Sequence, residues 1–253
     1  RLFVLFSAIL KIRRESKDYR IIYTFGLDMA LLTVVASLGR KIKIVYEVSD
    51  INPILLQKNM IGRCARLTER FVTRNIDLLV VTAEKYLTGY FYPILTIPSY
   101  LNVLVVENKI NLDKIPSVKC DFQSEKIRIG YFGLLRCEQS WRVLSELVKV
   151  SNGGIELLVM GKPIRPVDLP AQANEMDGVE YKGEFLWPDD LAAMYGAVDL
   201  VWGCFPYGAA KPGNWQWART NRFYEACFFN KPIITLKDSA DAESVELLKI
   251  GFQ

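Results

Sequence analysis

The chain has 253 residues, 51% of them hydrophobic and 24% charged, with a formal net charge of +4 and no histidine. The missing histidine excludes a Ser-His-Asp or Cys-His nucleophile and every His-ligated metal site. Five cysteines (Cys64, Cys120, Cys137, Cys204 and Cys227) are odd in number, scattered, and form no C-x-x-C pair. Neither a disulfide framework nor a zinc ribbon follows, and a reducing cytoplasm is the default compartment.

The charge is uneven. Residues 1–126 hold 19 Lys/Arg against 12 Asp/Glu (+7), and residues 127–253 hold 13 against 16 (−3). A basic half joined to a mildly acidic half points to two domains with different partners: anionic lipid, nucleic acid or an anionic substrate for the first. The opening apolar run, residues 2–10, is too short to span a bilayer and lacks the flanks of a signal peptide. It fits an amphipathic first helix, or a helix cut at its beginning.

Strand and helix patterns then alternate. Residues 20–24 read as a strand, 28–38 as a helix ending at Gly39, and 43–47 (KIVYE) as the next strand. Residues 54–74 read as one long helix with Leu55, Met60, Cys64, Leu67 and Phe71 on its apolar face and arginines on the other. Residues 77–82 (DLLVVT) have the continuous apolar character of a strand buried in a parallel sheet. Residues 111–126, with Pro116, Ser117, Gln123 and Ser124 among charges, lose periodicity and form the best linker.

A second alternation follows. Residues 127–132 are a strand broken by Gly133, Ser140 is placed to cap a helix carrying Trp141, Leu144, Leu147 and Val148, and 155–160 is a strand broken by Gly161. Pro188 with Asp189 and Asp190 marks a helix start, and 199–203 and 233–236 are further strands. Repeated βαβ units predict two doubly wound α/β domains, residues 1–120 and 121–253.

Such sheets bind ligands at the carboxyl ends of their strands. No G-x-G-x-x-G follows a strand and no G-x-x-x-x-G-K-[ST] is present, which argues against a dinucleotide dehydrogenase and a P-loop NTPase. The segment GNWQWARTNRFYEACFFNKP, residues 213–232, offers a helix capped by Thr220 or Asn221, with Arg222 in its first turn and Glu225 one turn on. A helix N-terminus with an arginine suits a diphosphate, and the carboxylate can accept from both ribose hydroxyls. Alternatively Arg222 and Glu225 form a surface ion pair. After the first strand of the second domain, Gly133 permits close backbone approach and Arg136 can meet phosphate, or the segment is a plain turn with a solvated arginine. Gly161 with Lys162 and Pro163 is equally ambiguous, and Trp202 and Phe205, in the aromatic stretch 202–207, fit wall or core better than a ligand platform. Glu47 and Asp50, at the end of YEVSD, either orient a sugar or serve as a base, or cap the segment at Asn52–Pro53.

Together these residues resemble the retaining glycosyltransferases of family 4. The likeness rests on IIYTFGLDMALL, KIVYEVSD, DLLVVTAEKY and LTIPSY in the first domain. In the second it rests on IRIGYFGLLR, ELLVMGKP, VEYKGEF, DDLAAMYGAVDLVW and TNRFYEACFFNKPII. The resemblance implies the GT-B fold: two Rossmann-like domains facing across a cleft, the first binding an acceptor and the second a nucleotide-activated sugar. It places Glu225 on the ribose, Asn221 and Arg222 beside the diphosphate, and Gly133, Arg136 and Gly161 on the phosphate side. It brings Gly213 and Asn214 near the donor sugar, and sets Glu47 and Asp50 on the acceptor side.

Three departures stand out. Trp217 replaces the first carboxylate of a Glu-x₇-Glu pair, Ser49 stands where relatives often carry histidine, and Gln139–Ser140 stand where a second basic residue usually lies. The resemblance further implies retained anomeric configuration, a UDP- or GDP-sugar as co-substrate, and no required cofactor or metal. It also implies a sugar or lipid-linked acceptor and a place in bacterial surface polysaccharide or glycolipid assembly. The basic half adds peripheral contact with the inner face of the plasma membrane. Its basic residues are spread without interleaved aromatics, so no nucleic-acid partner is expected. The N-terminal part of the first domain and the C-terminal part of the second are expected to be missing. The alternative reading is a catalytically weak sugar-nucleotide-binding subunit supporting a partner enzyme.

Overall fold

A computed structural model describes residues 2–111, 113, 115, 125–204 and 213–253. It forms two compact units, one of Arg1–Asn108 with Pro212–Ala218, the other of Lys109–Lys211 with Arg219–Gln253. The linker residues Pro116, Ser117, Gln123 and Ser124, and Phe205 of the aromatic stretch, lie outside the described residues.

The first unit begins with α1 (Leu2–Glu15), β1 (Ile21–Phe25), α2 (Leu27–Ser37) and β2 (Lys43–Val48). Residues 54–74 are not one helix. A 3₁₀ turn, Pro53–Leu56, is separated from α3 (Met60–Thr73). The break has local causes: the Asn59 side chain accepts from the Gly62 N–H at 2.9 Å, and Arg66 donates to the Leu55 and Gln57 carbonyls. Gly62 lies so close to the Gln57 carbonyl that a Cβ would come within 2.2 Å of its oxygen. The expected apolar face of α3 is also turned outward. Met60, Cys64, Leu67 and Phe71 are exposed, whereas Gly62, Glu69, Val72 and Thr73 are buried. Then follow β3 (Leu78–Val81), α4 (Glu84–Tyr86), a π-type segment Leu87–Leu95 that accommodates Pro93, and β4 (Asn102–Val105).

The four strands are parallel in the sequential order β1-β2-β3-β4. That is the order found on one side of a doubly wound sheet. Its core joins Ile44, Tyr46 and Val48 of β2 and Leu79 and Val81 of β3 to Ala30, Val34, Val72, Tyr86, Tyr90 and Phe91.

The second unit runs β5 (Ile127–Leu135), α5 (Glu138–Val150), β6 (Ile155–Pro163), α6 (Leu169–Asn174), β7 (Val179–Tyr181), α7 (Leu191–Gly196) and β8 (Leu200–Trp202). The short α8 (Asn214–Trp217) belongs to the first unit. The chain then continues through α9 (Asn221–Phe228), β9 (Ile233–Ile234), α10 (Ala240–Leu248) and β10 (Gly251–Phe252). One expected helix cap differs from that found. The cap of α5 is Cys137, whose Sγ accepts from the Ser140 N–H, while the buried Ser140 hydroxyl donates to the Cys204 carbonyl. The start marked by Pro188, Asp189 and Asp190 is found: Asp190 is the cap residue of α7, with its carboxylate accepting from the Leu186 N–H rather than from the helix.

All six strands are parallel in the order β10-β9-β8-β5-β6-β7. Numbered from β5, this is the Rossmann order, and its reversal lies between β5 and β8. Two cores flank it, one around Tyr131, Trp141, Leu157 and Trp202, the other around Phe132, Leu158, Tyr195, Val201 and Phe223. No helix among the described residues is long and apolar enough to cross a membrane.

Candidate functional site

Where strand order reverses, neighbouring connections run to opposite faces and leave a crevice beyond the carboxyl ends of the strands. In the second unit that crevice is bordered by the end of β5 and by Gly203–Cys204 after β8. Gly133, at the end of β5, has φ +100° and pairs in register with Gly161 of β6 at φ +140°, both in the region that favours glycine. A Cβ on Gly161 would come within 1.8 Å of the Gly133 carbonyl oxygen. A Cβ on Gly133 would stand 3.2 Å from an Arg222 guanidinium nitrogen. The glycines therefore let two strand ends and one arginine converge. Arg136, three residues beyond Gly133, is exposed.

Arg222 arrives there because α9 begins at a defined point. Thr220 is its cap, with Oγ1 accepting from the Phe223 N–H at 3.2 Å. The first turn then carries Asn221, which is exposed, and Arg222, which is half-buried. Burial pushes the Tyr131 hydroxyl of β5 and the Cys204 thiol each up to about 12, and the Arg222 charge opposes the shift in both.

Glu225, one turn on, is not a surface carboxylate. It is 6% exposed, and its Oε1 accepts from the Trp187 indole N–H at 3.1 Å while Oε2 accepts from the Tyr195 hydroxyl at 2.7 Å. Two fixed donors hold the carboxylate, and each of its oxygens retains a further lone pair for a ligand. Trp187 itself is half-exposed beside it. Neither Trp187 nor Tyr195 is legible as a partner in the sequence, because they lie 38 and 30 residues before Glu225 and share no periodicity with it.

In the first unit the expected pair separates. Glu47 alternates with Tyr46 and Val48 along β2 and accepts from the Tyr23 hydroxyl, which that bond, with burial, pushes up to about 12. Asp50 instead borders a cavity of about 640 Å³ beyond β1 and β2, together with Asp28, Leu31, Tyr46, Leu55 and Glu69. Asn52, not Glu47 or Asp50, caps the 3₁₀ turn. Gly213 and Asn214 are grouped with this unit. Asn214 donates to Asp50 Oδ1 at 2.6 Å, and its Oδ1 accepts from the Ile51 N–H at 2.7 Å and lies 2.9 Å from the Tyr86 hydroxyl.

The cavity contains one group that the sequence does not reveal. Glu69 is fully buried and accepts from the Tyr46 and Tyr90 hydroxyls. Burial pushes its carboxyl up to about 7, against the pull of those two bonds. Trp217, in the place of the expected carboxylate, is a core residue: it is buried, its ring tilted 35° to that of Tyr90 at 6.4 Å, and it lies so close to Gly89 that a Cβ there would meet the indole at 2.5 Å. Among the described residues no group of three or more Cys, Asp and Glu side chains could hold a metal ion.

No family model matches the chain. It is 27% identical over 261 residues to the succinoglycan biosynthesis protein ExoL of Rhizobium meliloti, an alignment covering 96% of this chain and 63% of the relative. The chain therefore spans less than two thirds of that protein's length. Among solved structures it is similar to a glycosyltransferase from Rickettsia africae, with a TM-score of 0.74 at 16% identity over 100% of this chain and 67% of the other. It is likewise similar to Anabaena Alr3699/HepE in complex with UDP, with a TM-score of 0.73 at 16% identity over 96% of this chain and 67% of that one. The fold is GT-B.

Proposed function

We propose that the chain is the core of a retaining glycosyltransferase. It moves a sugar from a UDP- or GDP-sugar to a hydroxyl of a sugar or lipid-linked acceptor, in assembly of a bacterial surface polysaccharide or glycolipid. The observation that carries this reading is the Arg222 guanidinium over Gly133 at the switch point, one helical turn from the fixed carboxylate of Glu225. UDP in the Anabaena neighbour and succinoglycan biosynthesis in the Rhizobium relative support the donor and product classes.

In this reading Glu225 accepts from the ribose hydroxyls. Arg222, Arg136, Asn221 and the positive end of α9 take the diphosphate, and Gly133 and Gly161 keep side chains out of its path. The anomeric carbon–oxygen bond to phosphate breaks while the acceptor oxygen bonds to that carbon on the same face. The acceptor proton passes to the departing phosphate oxygen. The protein orients the two substrates and stabilises charge growing on the leaving diphosphate, without an enzyme nucleophile or a bound metal. Asp50, held by Asn214, and Glu47 belong to the acceptor side.

The enzyme works at the inner face of the plasma membrane, its basic first half drawn to anionic lipid. Release of UDP from UDP-sugars, or GDP from GDP-sugars, in the absence of acceptor tests the activity. Saturable hydrolysis lost in Arg222→Ala is expected. Nucleotide binding with little or no hydrolysis or transfer would favour a catalytically weak sugar-nucleotide-binding subunit supporting a partner enzyme, a reading motivated by Trp217 and Ser49.

A further inference from the structure

The N-terminus of α9 is fixed from outside the helix. Asp241, in the first turn of α10, is 2% exposed, and the Thr220 hydroxyl donates to its Oδ2 at 2.6 Å. The Thr220 backbone N–H donates to the same carboxylate, at 3.2 Å from Oδ1. A threonine hydroxyl has one proton and two lone pairs. Once that proton is given to Asp241, the oxygen can act toward the helix only as an acceptor, as its bond from the Phe223 N–H requires. The carboxylate therefore selects the rotamer and the polarity of the cap.

Arg219 completes the arrangement. Its guanidinium lies 3.9 Å from Asp241 Oδ1 and stacks 4.6 Å from the centre of the Phe223 ring, on the first turn of α9. Asp241 also feels the charge of Arg222. Its own helix is capped separately by Ser239, which accepts from the Ala242 N–H, so Asp241 is not needed for the start of α10.

We propose that Asp241 is a positioning residue for diphosphate binding, acting through Thr220 to set the first turn of α9 and with it Arg222. This rests on the reading of α9 as the donor-diphosphate site. The effect is local to the helix start, because Glu225 is held one turn deeper by Trp187 and Tyr195 and does not depend on the cap. Loss of Asp241 therefore separates the two halves of a nucleotide: the diphosphate is released and the nucleoside is kept.

The test is calorimetry of the whole chain with UDP, GDP, uridine and guanosine, on wild type, Asp241→Asn and Thr220→Val. Circular dichroism serves as the check of folding. Asp241→Asn keeps the side-chain shape and removes the charge. It is expected to weaken diphosphate binding about tenfold while nucleoside affinity stays within about twofold. Thr220→Val, which removes the intermediary, is expected to do the same and decides the matter if the first variant does not fold. Equal losses for nucleotide and nucleoside would mean a general loosening of α9 and overturn the proposal, as would unchanged UDP and GDP affinity in a folded variant. Wild type that binds neither diphosphate would overturn the donor-site reading itself, and this inference with it.

Discussion

Two buried carboxyls carry the clearest single-residue consequence. Burial raises Glu69 to about 7 and Asp241 to about 6, above ordinary values of 4.5 and 3.8. The folded chain therefore binds these protons more tightly than the unfolded chain. The associated stability is fully present below about pH 4 and is lost as pH rises through 6 to 7. For Glu69 the shift corresponds to roughly 3 kcal/mol. Thermal unfolding is expected to show a falling melting temperature between pH 5 and 8, with a smaller slope in Glu69→Gln. An unchanged slope in that variant would place the titration elsewhere. These residues also mark the limit of reading one sequence. A glutamate among arginines on α3 reads as a solvent-facing residue, and only Tyr46 and Tyr90, 23 and 21 residues away, make its burial tolerable.

At the level of elements, legibility followed locality. The start of α9 is written in adjacent residues, Thr220 as cap and Arg222 in the first turn. β1, β2, β3, β5 and β6 are apolar runs punctuated by glycine or charge and are readable for the same reason, whereas β4 (Asn102–Val105) carries no such signal and is not read from the sequence. The split between Pro53–Leu56 and α3 was not readable, because it depends on Arg66 reaching back to two carbonyls. The inward face of α3 was misread because arginine stems and a buried glutamate invert the usual apolar stripe.

Two substitutions test element-level claims. Gly161→Ala is expected to destabilise the end of the β5–β6 pair by about 2–4 kcal/mol, from a positive φ and a blocked approach to Gly133. Chemical denaturation measures it; a loss under 0.5 kcal/mol would show that the strands can part there. Trp217→Glu places a carboxylate where the sequence resemblance leads one to be expected. It is expected to destabilise the first unit by more than about 3 kcal/mol and to gain no activity, because the indole is core here. A stable and more active Trp217→Glu would contradict the packing argument.

For the molecule as a whole, the alternation of strands and helices predicts domains at 1–120 and 121–253; the chain also divides into two units, but the first ends at Asn108 and takes in Pro212–Ala218. The placement of Asn214 with the first unit is not legible, since it lies far along the chain from Asp50 and Tyr86, which it meets. The charge carries its own prediction: binding to phosphatidylglycerol vesicles at low salt, weakened strongly near 0.5 M salt, with neutral vesicles ignored. Exposed Phe3, Val4 and Phe6 on α1 add apolar surface to the same basic half. Equal indifference to both vesicle types in sedimentation would remove membrane contact from the account.

Arg222 over Gly133 and the fixed carboxylate of Glu225 are proposed to form one nucleotide-diphosphate site. Calorimetry of UDP and GDP against wild type, Arg222→Ala and Glu225→Gln tests it most directly. Wild type is expected to bind at least one diphosphate. Arg222→Ala should reduce it to roughly the affinity of the bare nucleoside, and Glu225→Gln should weaken nucleoside and diphosphate together by about 2 kcal/mol. Wild-type binding left intact by both substitutions would contradict it.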